Sequence, residues 1–452
     1  MKLHMLAATV VAFALALTLA GCGPAAGKSG SENSGASTPA NNGAPARPWN
    51  NDTPSPGVTD TEVVIGQPAA FSGPSAGLGV EMWRGAIAAF AEVNEAGGVH
   101  GRKIRLELAD DGYEADRAVA AVNQLVNDKQ VFCIGFSVGT PTMVRILEVL
   151  EPCFHDTGLF MFSNFTGAQA QRVAPHTQEV FNVRASYRQE TAAVVDAFVK
   201  AGRKTIGMFI QADNYGADGR EGARSALERY GLDVAVTTDY KRGQRFEQST
   251  AAEVEKLKRA GVDAIIAVGA YQACAALIRD CRSSGWNVPI HNVSFVGADQ
   301  MMALLKKEEA SSGKRLVFNL INTQVVPFYD RTDVPLVVQY RAAIDRFKPG
   351  VPEGMGDVGG YRPTAAYSFG SLEGYVSARA LIEGLKATGK TLTRGRFIAA
   401  VEAMGKFDLG LGVPCEFSPT HHQMLDTVWF TYADGTTYRW LPTQDPVSTL
   451  TD

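Results

Sequence analysis

The chain has 452 residues, enough for two or three domains. Hydrophobic residues make up 45% and charged residues 20%, a balance that is usual for soluble globular proteins and excludes a protein with many membrane spans. The 47 acidic and 43 basic side chains give a net charge of −4, so there is no basic excess to bind nucleic acid.

The N-terminus predicts export and lipid anchoring. Residues 5–20 are almost wholly apolar, a run that is short for a spanning helix and suits a signal peptide. They end in Leu19-Ala20-Gly21-Cys22, which resembles the lipobox of bacterial lipoproteins. We therefore predict a signal peptide over residues 1–21 and a lipid chain on Cys22 that holds the protein on the extracytoplasmic membrane surface. A plain signal peptide with a chance cysteine is the alternative.

The composition of residues 22–57 predicts a flexible tether, because Gly, Ser, Asn, Pro and Ala dominate and large apolar side chains are scarce.

Short aliphatic and β-branched runs then alternate with segments of helical spacing. The predicted strands cover residues 63–70, 104–109, 131–135 and 159–162, and a second series covers 205–210, 234–240, 264–268 and 290–296. Helices are predicted between them and within 335–404, and a hairpin is predicted over 427–440.

This alternation predicts an α/β protein with two doubly wound, Rossmann-like lobes and a ligand cleft between them. We assign residues 58–185 plus 325–410 to lobe 1 and residues 186–324 plus 411–442 to lobe 2. Residues 443–452 form a tail.

Ligands of open α/β sheets bind beyond the carboxyl ends of the strands, so the loops that follow the predicted strands are the candidate site. In one loop Thr140 suits a helix N-cap and Pro141 the first helical position, which leaves backbone N–H groups available to a carboxylate. Short polar residues also follow the next strand. The second series offers aromatic residues and an acid instead.

Several motifs resemble those of the branched-chain amino acid (leucine-binding) group of type I periplasmic binding proteins, the substrate-binding proteins of ABC importers. The most specific is the run Asn94-Glu95-Ala96-Gly97-Gly98-Val99-His100-Gly101. Others are Phe71-Ser72-Gly73-Pro74, Gly139-Thr140-Pro141-Thr142, Asn214-Tyr215-Gly216 and Glu373-Gly374-Tyr375. The resemblance spans about residues 63–440 and implies two lobes joined by three crossovers that close on a ligand by hinge motion.

The resemblance also implies a set of ligand-binding residues. Carboxylate-binding donors fall on Ser137, Thr140, Ser163 and Thr166, aromatic contacts fall on Tyr215 and Tyr271, and the acceptor of a ligand ammonium falls on Asp299. Each residue has a purely structural alternative: the hydroxyls cap a helix, the tyrosines pack under the rim, or Asp299 caps the next helix. The chain departs from many relatives at Leu78, where they carry an aromatic residue.

Apparent catalytic motifs do not indicate an enzyme. Gly73-Pro74-Ser75-Ala76-Gly77 fits the nucleophile elbow of a serine hydrolase, but it overlaps the binding-protein signature. Residues 384–391 fit the P-loop pattern, but a helical pattern precedes them where the P-loop mechanism needs a strand. No zinc or EF-hand motif is present, so we expect neither a metal nor a cofactor.

Five cysteines remain if Cys22 is lipidated, so at least one thiol is unpaired or bonded to another chain. Cys133 and Cys153 are the predicted disulfide pair, because both fall near one end of the sheet.

The preferred function is an extracytoplasmic solute-binding receptor that captures an amino acid or a related small carboxylate or amide for an ABC importer permease. The alternatives are a sensory module for a membrane receptor and, third, a secreted serine hydrolase.

Overall fold

The computed structural model describes residues 52–355, 360–363 and 365–450. The predicted signal peptide, Cys22 and most of the predicted tether lie outside the described residues.

Fourteen strands are present in the described residues. They are β1 (Glu62–Ala69), β2 (Lys103–Asp110), β3 (Cys133–Gly135), β4 (Met161–Phe162), β5 (Val180–Phe181), β6 (Ile206–Gln211), β7 (Val236–Tyr240), β8 (Ala264–Val268), β9 (Ile290–Asn292), β10 (Leu320–Gln324), β11 (Gly405–Phe407), β12 (Cys415–Phe417), β13 (Trp429–Asp434) and β14 (Arg439–Thr443).

Eleven α-helices connect or cover these strands in the same part of the chain. They are α1 (Ala76–Glu95), α2 (Ala115–Asn123), α3 (Thr140–Thr157), α4 (Tyr187–Lys200), α5 (Asn214–Glu228), α6 (Ala251–Arg259), α7 (Tyr271–Ser283), α8 (Ala298–Ser312), α9 (Pro335–Phe347), α10 (Phe369–Thr388) and α11 (Arg394–Ala403). Gln124–Asp128 forms a π-helical turn, and Gln169–Gln171 and Ser294–Val296 form 3-10 turns.

Each lobe is built around one sheet. The first sheet is parallel throughout, in the order β2-β1-β3-β4-β5. The second has the order β14-β13-β10-β9-β8-β6-β7, in which β13 is antiparallel to β10 and β14 is antiparallel to β13. Every residue of β6 and β8 is buried, as expected for parallel strands covered by helices on both faces. The predicted fold class is therefore confirmed.

The first lobe is completed by helices from late in the sequence, since α9 and α10 pack on α1. Gly85 and Gly374 bring α1 and α10 close together: a Cβ on Gly85 would lie 1.7 Å from the Ser371 carbonyl oxygen, and one on Gly374 would lie 2.1 Å from the Met82 carbonyl oxygen. Three segments cross between the lobes, from β5 to α4, from β10 to α9 and from β12 to β13.

The predicted residue boundaries of the lobes stay predictions. Phe417 on β12 packs its ring against Phe162 in a tilted arrangement and against Phe181 edge to face, with centroid distances of 6.1 and 5.7 Å. The sequence-based division assigns residues from 411 onward, and therefore Phe417, to lobe 2. In the structure the Phe417 ring packs on the sheet of lobe 1.

The structure corrects the local predictions at four places. The strand predicted over 290–296 ends at Asn292, because Ser294–Val296 turns the chain and carries Phe295 toward the other lobe. Gly139, not Thr140, is the N-cap of α3: its φ is +100°, and a Cβ there would lie 2.0 Å from the Tyr113 ring. Residues Leu320–Gln324 form a strand that was not predicted. The predicted Cys133–Cys153 disulfide is wrong, because Cys133 is a free thiol buried in the first sheet.

Candidate functional site

Aromatic side chains from both lobes meet where the carboxyl ends of the two sheets face each other. Phe165 follows β4 and Phe295 follows β9, and their ring centroids lie 5.3 Å apart. Phe295 also contacts Tyr113 at 6.1 Å and Tyr215 at 5.0 Å. Rings in this range attract one another in tilted and edge-to-face arrangements, so the cluster holds the facing loops together.

The four predicted hydroxyl donors lie on two adjoining loops of the first lobe, and all are buried. The Phe165 N–H donates to the Ser137 carbonyl at 2.7 Å, which joins the two loops. The hydroxyls of Thr140 and Thr166 share a hydrogen bond of 2.7 Å, and Ser163 donates to Ser377 on α10. The Ser137 hydroxyl has no hydrogen-bond partner among the described residues. Ser137 is therefore the one of the four whose hydroxyl is unused.

The two predicted tyrosines lie on the second lobe and are largely buried. The Tyr215 hydroxyl donates to the Gly269 carbonyl at 3.3 Å, and its ring packs on Tyr187. Tyr271 begins α7. A Cβ on Gly297 would lie 3.3 Å from Tyr271 and 3.0 Å from Leu78, so Gly297 separates these two side chains across the cleft.

Asp299 lies in the first turn of α8 and lines a neighbouring cavity together with Tyr329 and Trp440. Its Oδ1 accepts from the Tyr329 hydroxyl at 3.0 Å, and its Oδ2 accepts from the Phe369 N–H at 2.9 Å. Burial raises the pKa of Asp299 to about 7, against the lowering effect of these two hydrogen bonds. The structure thus places Asp299 apart from the hydroxyl loops, with both oxygens engaged.

A narrow cavity between the lobes contains polar residues that sequence reasoning missed. Both lobes contribute to its lining, which consists of Gly77, Leu78, Glu81, Phe165, Ser294, Gly297, Ala298, Gln300, Gln324, Phe369, Gly370 and Glu373. Two carboxylates face this space. Glu81 is satisfied, because it accepts from Arg84 at 2.7 Å, from Tyr361 at 2.8 Å and from Ser368 at 2.6 Å.

Glu373, unlike Glu81, can accept further hydrogen bonds. It is buried on α10, and its Oε1 accepts from Arg184 at 3.2 Å, while its Oε2 accepts no hydrogen bond from the described residues. Burial raises the pKa of Glu373 to about 7, and the nearby Arg184 charge opposes that rise. Gln324, at the end of β10, has an amide nitrogen with no hydrogen-bond partner in the described part of the chain. The cavity therefore offers an acceptor and an unused amide.

Arg184 organises the space behind this cavity. Its guanidinium donates to Glu190 at 2.9 Å and to Ser294, and lies 5.4 Å from the centroid of the Tyr187 ring. The charges of Glu373 and Glu190 raise the pKa of Arg184 above its usual value, although burial opposes this. The positive charge of Arg184 is thus compensated by two carboxylates of the protein itself.

The described residues contain no cluster of three or more His, Cys, Asp or Glu side chains arranged to hold a metal ion. In the same residues, no helix combines the length and apolar character needed to cross a bilayer.

A family profile described as periplasmic binding protein matches residues 62–437, from the first strand to the closing hairpin. The chain belongs to this family. Periplasmic binding proteins bind solutes outside the cytoplasm and are not enzymes, so the chain is an extracytoplasmic solute-binding protein.

Two curated relatives and two solved structures illustrate the family. The chain is 24% identical over 322 residues to the amino acid binding protein of Pseudomonas aeruginosa, covering 70% of this chain and 78% of the relative. It is 24% identical over 364 residues to Leu/Ile/Val-binding protein homolog 1 of Brucella abortus, covering 78% of this chain and 85% of that relative.

Among solved structures, a possible leucine/isoleucine/valine-binding protein from Rhodopirellula baltica superposes on this periplasmic binding protein with a TM-score of 0.73 at 32% identity, covering 88% and 100% of the two chains. A branched chain amino acid ABC transporter structure from Thermus thermophilus with bound valine gives a TM-score of 0.72 at 15% identity, covering 85% and 96%. Because its sequence identity is only 15%, the similarity to the Thermus thermophilus structure shows a shared fold and nothing more.

The sequence contains a signal for one of the missed residues. Glu373 lies in the quoted Glu373-Gly374-Tyr375 motif, between apolar residues of a buried helix, where a carboxylate needs a partner. Gln324 gave no comparable signal, since its strand was not predicted.

Proposed function

We propose that this protein is the receptor of an ABC importer and captures an amino acid or a related small amine or amide between its lobes by hinge closure. The curated relatives named for amino acids and for Leu/Ile/Val support this ligand class. The observation that carries the proposal is the interlobe cavity with Glu373 and Gln324, because a ligand ammonium or amide N–H would donate to Glu373 Oε2.

The predicted site residues take the following roles in this proposal. Ser137 donates to a ligand carboxylate or carbonyl, while Thr140, Ser163 and Thr166 shape the loops around it. Tyr215 and Tyr271 cover the apolar part of the ligand, and Phe165 narrows the cavity. Asp299 contacts the ligand only after its bonds to Tyr329 and Phe369 rearrange, so Glu373 is the preferred acceptor of an ammonium.

The proposal also includes the location of the protein. Lipidation of Cys22 would hold the receptor on the extracytoplasmic membrane surface, with residues 22–57 as a tether that lets the body reach the permease.

A thermal-shift screen of the purified full-length chain tests the ligand class. Aliphatic amino acids, amides of similar size and amine-free acids are compared for the wild type, Glu373→Gln and Glu148→Gln. Glu148 is a matched control, since it is an exposed α3 carboxylate paired with exposed Arg145. A ligand at a hundred times its Kd adds about 2.7 kcal/mol of stability, which is a shift of several degrees.

The expected result is a shift with an amine or amide ligand in the wild type and in Glu148→Gln, and its loss in Glu373→Gln. Amine-free acids that shift the melting temperature as much as amino acids would contradict the ligand class. An unchanged shift in Glu373→Gln would contradict the role of that carboxylate.

A further inference from the structure

A second polar cavity lies outside the cleft, where two of the crossovers between the lobes run side by side. Asn182 follows β5 in the first crossover, and Gln423 lies in the third. The Asn182 N–H donates to the His422 carbonyl at 2.7 Å, and the Met424 N–H donates to the Asn182 carbonyl at 2.7 Å. The cavity beside this pairing is lined almost wholly by polar residues, among them Arg172, Asn182, Gln189, His421 and Gln423.

Arg172 is a half-buried cation whose hydrogen bonds all go to uncharged acceptors. Its guanidinium donates to Gln423 Oε1 at 2.8 Å, to the Ala168 carbonyl at 2.6 Å and to the Arg184 carbonyl at 3.1 Å. No carboxylate of the described residues forms an ion pair with it. Burial, and then the charge of Arg184, lower the pKa of Arg172 to about 9, although the charges of Asp218 and Glu190 oppose this shift.

Further positive and donating groups border the same space. The N-terminus of α4, capped by Ser186, adds the partial positive charge of a helix dipole. His421 is exposed at the cavity wall, with its Nε2 4.0 Å from Asp426 Oδ2. Thr177 and Thr420 contribute hydroxyls.

The carboxylates around the cavity are already engaged by other groups. Asp218 and Glu190, whose charges act on Arg172 from a distance, pair with Arg188 at 3.5 Å and with Arg184 at 2.9 Å. Asp426 accepts from Gln189 at 2.8 Å and from Gln423 at 2.6 Å. Glu402 lies 3.0 Å from the Nε2 of buried His422. None of these carboxylates forms an ion pair with Arg172. Among the described residues, Arg172 is the one permanently charged side chain that lines the cavity, so the cavity attracts a negative group.

We propose that this cavity is a binding site for a small oxyanion, either a phosphate or a carboxylate group, held by Arg172 with His421 at the wall. An oxyanion is the ligand that supplies the missing charge and can accept from several donors at once. The site is separate from the cleft and does not depend on what the cleft binds.

Isothermal titration of the purified full-length chain with inorganic phosphate, and separately with acetate, tests the site. Chloride is used to hold the ionic strength constant, so that general screening is removed from the comparison. The variant Arg172→Gln removes the cation. Arg145→Gln is the matched control, because Arg145 is an exposed arginine on α3 that pairs with Glu148.

Saturable binding of at least one anion is expected in the wild type and in Arg145→Gln, with about tenfold weaker binding in Arg172→Gln. A response to phosphate alone identifies a phosphate site, and a response to acetate identifies a carboxylate site. If Arg172→Gln does not fold, His421→Glu replaces it, since His421 is exposed and the new negative charge would repel the anion.

Absence of saturable binding of both anions in the wild type would overturn the proposal. Unchanged affinity in Arg172→Gln, or in His421→Glu where that variant is used, would also overturn it. Binding of a cleft ligand is expected to persist in both variants, so failure of the anion site and failure of the proposed receptor function are distinguishable.

Discussion

Arg184 and Glu373 form a buried ion pair between a crossover and the first lobe, with 3.2 Å between the guanidinium Nη1 and the carboxylate Oε1. The same guanidinium holds Glu190 of the second lobe at 2.9 Å through Nη2. One side chain therefore touches both lobes at the edge of the candidate ligand cavity. We expect it to contribute to stability and to ligand binding together.

Replacement of Arg184 by Met should lower the free energy of unfolding by about 3–5 kcal/mol, because it leaves two carboxylates buried without their cation. Urea denaturation followed by circular dichroism measures this change. The control Arg145→Met removes an exposed arginine and should change the value by less than about 0.5 kcal/mol. Equal, small losses in the two variants would contradict the structural role of Arg184.

The stability of the protein should depend on pH through Asp299. Burial raises the pKa of Asp299 to about 7, so the folded protein keeps a proton that the unfolded chain releases at lower pH. The free energy of unfolding therefore falls as the pH rises from about 4 to 7, by at most about 1.4 kcal/mol per pH unit from this group. Asp299→Asn cannot titrate, and its stability should fall less over the same interval.

Urea denaturation of the wild type and Asp299→Asn at several pH values measures this difference. Glu373 and Asp111, whose pKa values burial also raises to about 7, contribute in both proteins, so some slope remains in the variant. Parallel stability curves for the two proteins would show that Asp299 does not carry a raised pKa.

Gly85→Ala should destabilise the first lobe by at least about 2 kcal/mol, because the new methyl group would lie 1.7 Å from the Ser371 carbonyl oxygen and push α1 from α10. A lower thermal midpoint is the expected observation. Gly350→Ala is the control, since a Cβ there has no atom within 4 Å. If both variants melt with the wild type, the close approach of the two helices is wrong.

Cys22→Ala should release the protein from the membrane if the proposed lipid anchor exists. The wild type is expected to partition into the detergent phase of a Triton X-114 extraction and to incorporate labelled fatty acid, and the variant should do neither. Unlabelled wild-type protein in the aqueous phase would leave only a plain signal peptide.

The repeating pattern of aliphatic strands and helical segments was enough to predict the fold class. Val63, Ile104, Ile206 and Ile265 lie in runs whose periodicity directly reflects burial in a parallel sheet, so these strands were predictable. The strand Leu320–Gln324 was not predicted, because Asn322, Thr323 and Gln324 interrupt the aliphatic pattern. All three residues are nevertheless buried. Their burial depends on partners far away in sequence.

The candidate site was harder to predict for the same reason. The motif Gly139-Thr140-Pro141-Thr142 was enough to expect Ser137 in a loop after β3 and Thr140 at the start of a helix, because such motifs are local, but the predicted binding roles of both residues stay predictions. The engagement of Asp299 by Tyr329 and Phe369 depends on chain segments 30 and 70 residues away. The capacity of Glu373 to accept from a ligand likewise follows from how Arg184 divides its hydrogen bonds.

Small-angle X-ray scattering of the full-length chain, with and without a solute that raises its melting temperature, tests the central claim most directly. Capture by hinge closure predicts that the radius of gyration falls as the solute saturates the protein, and that Glu373→Gln shows no such fall at the same solute concentration. A radius of gyration that stays constant at wild-type saturation would contradict a receptor that closes on its ligand.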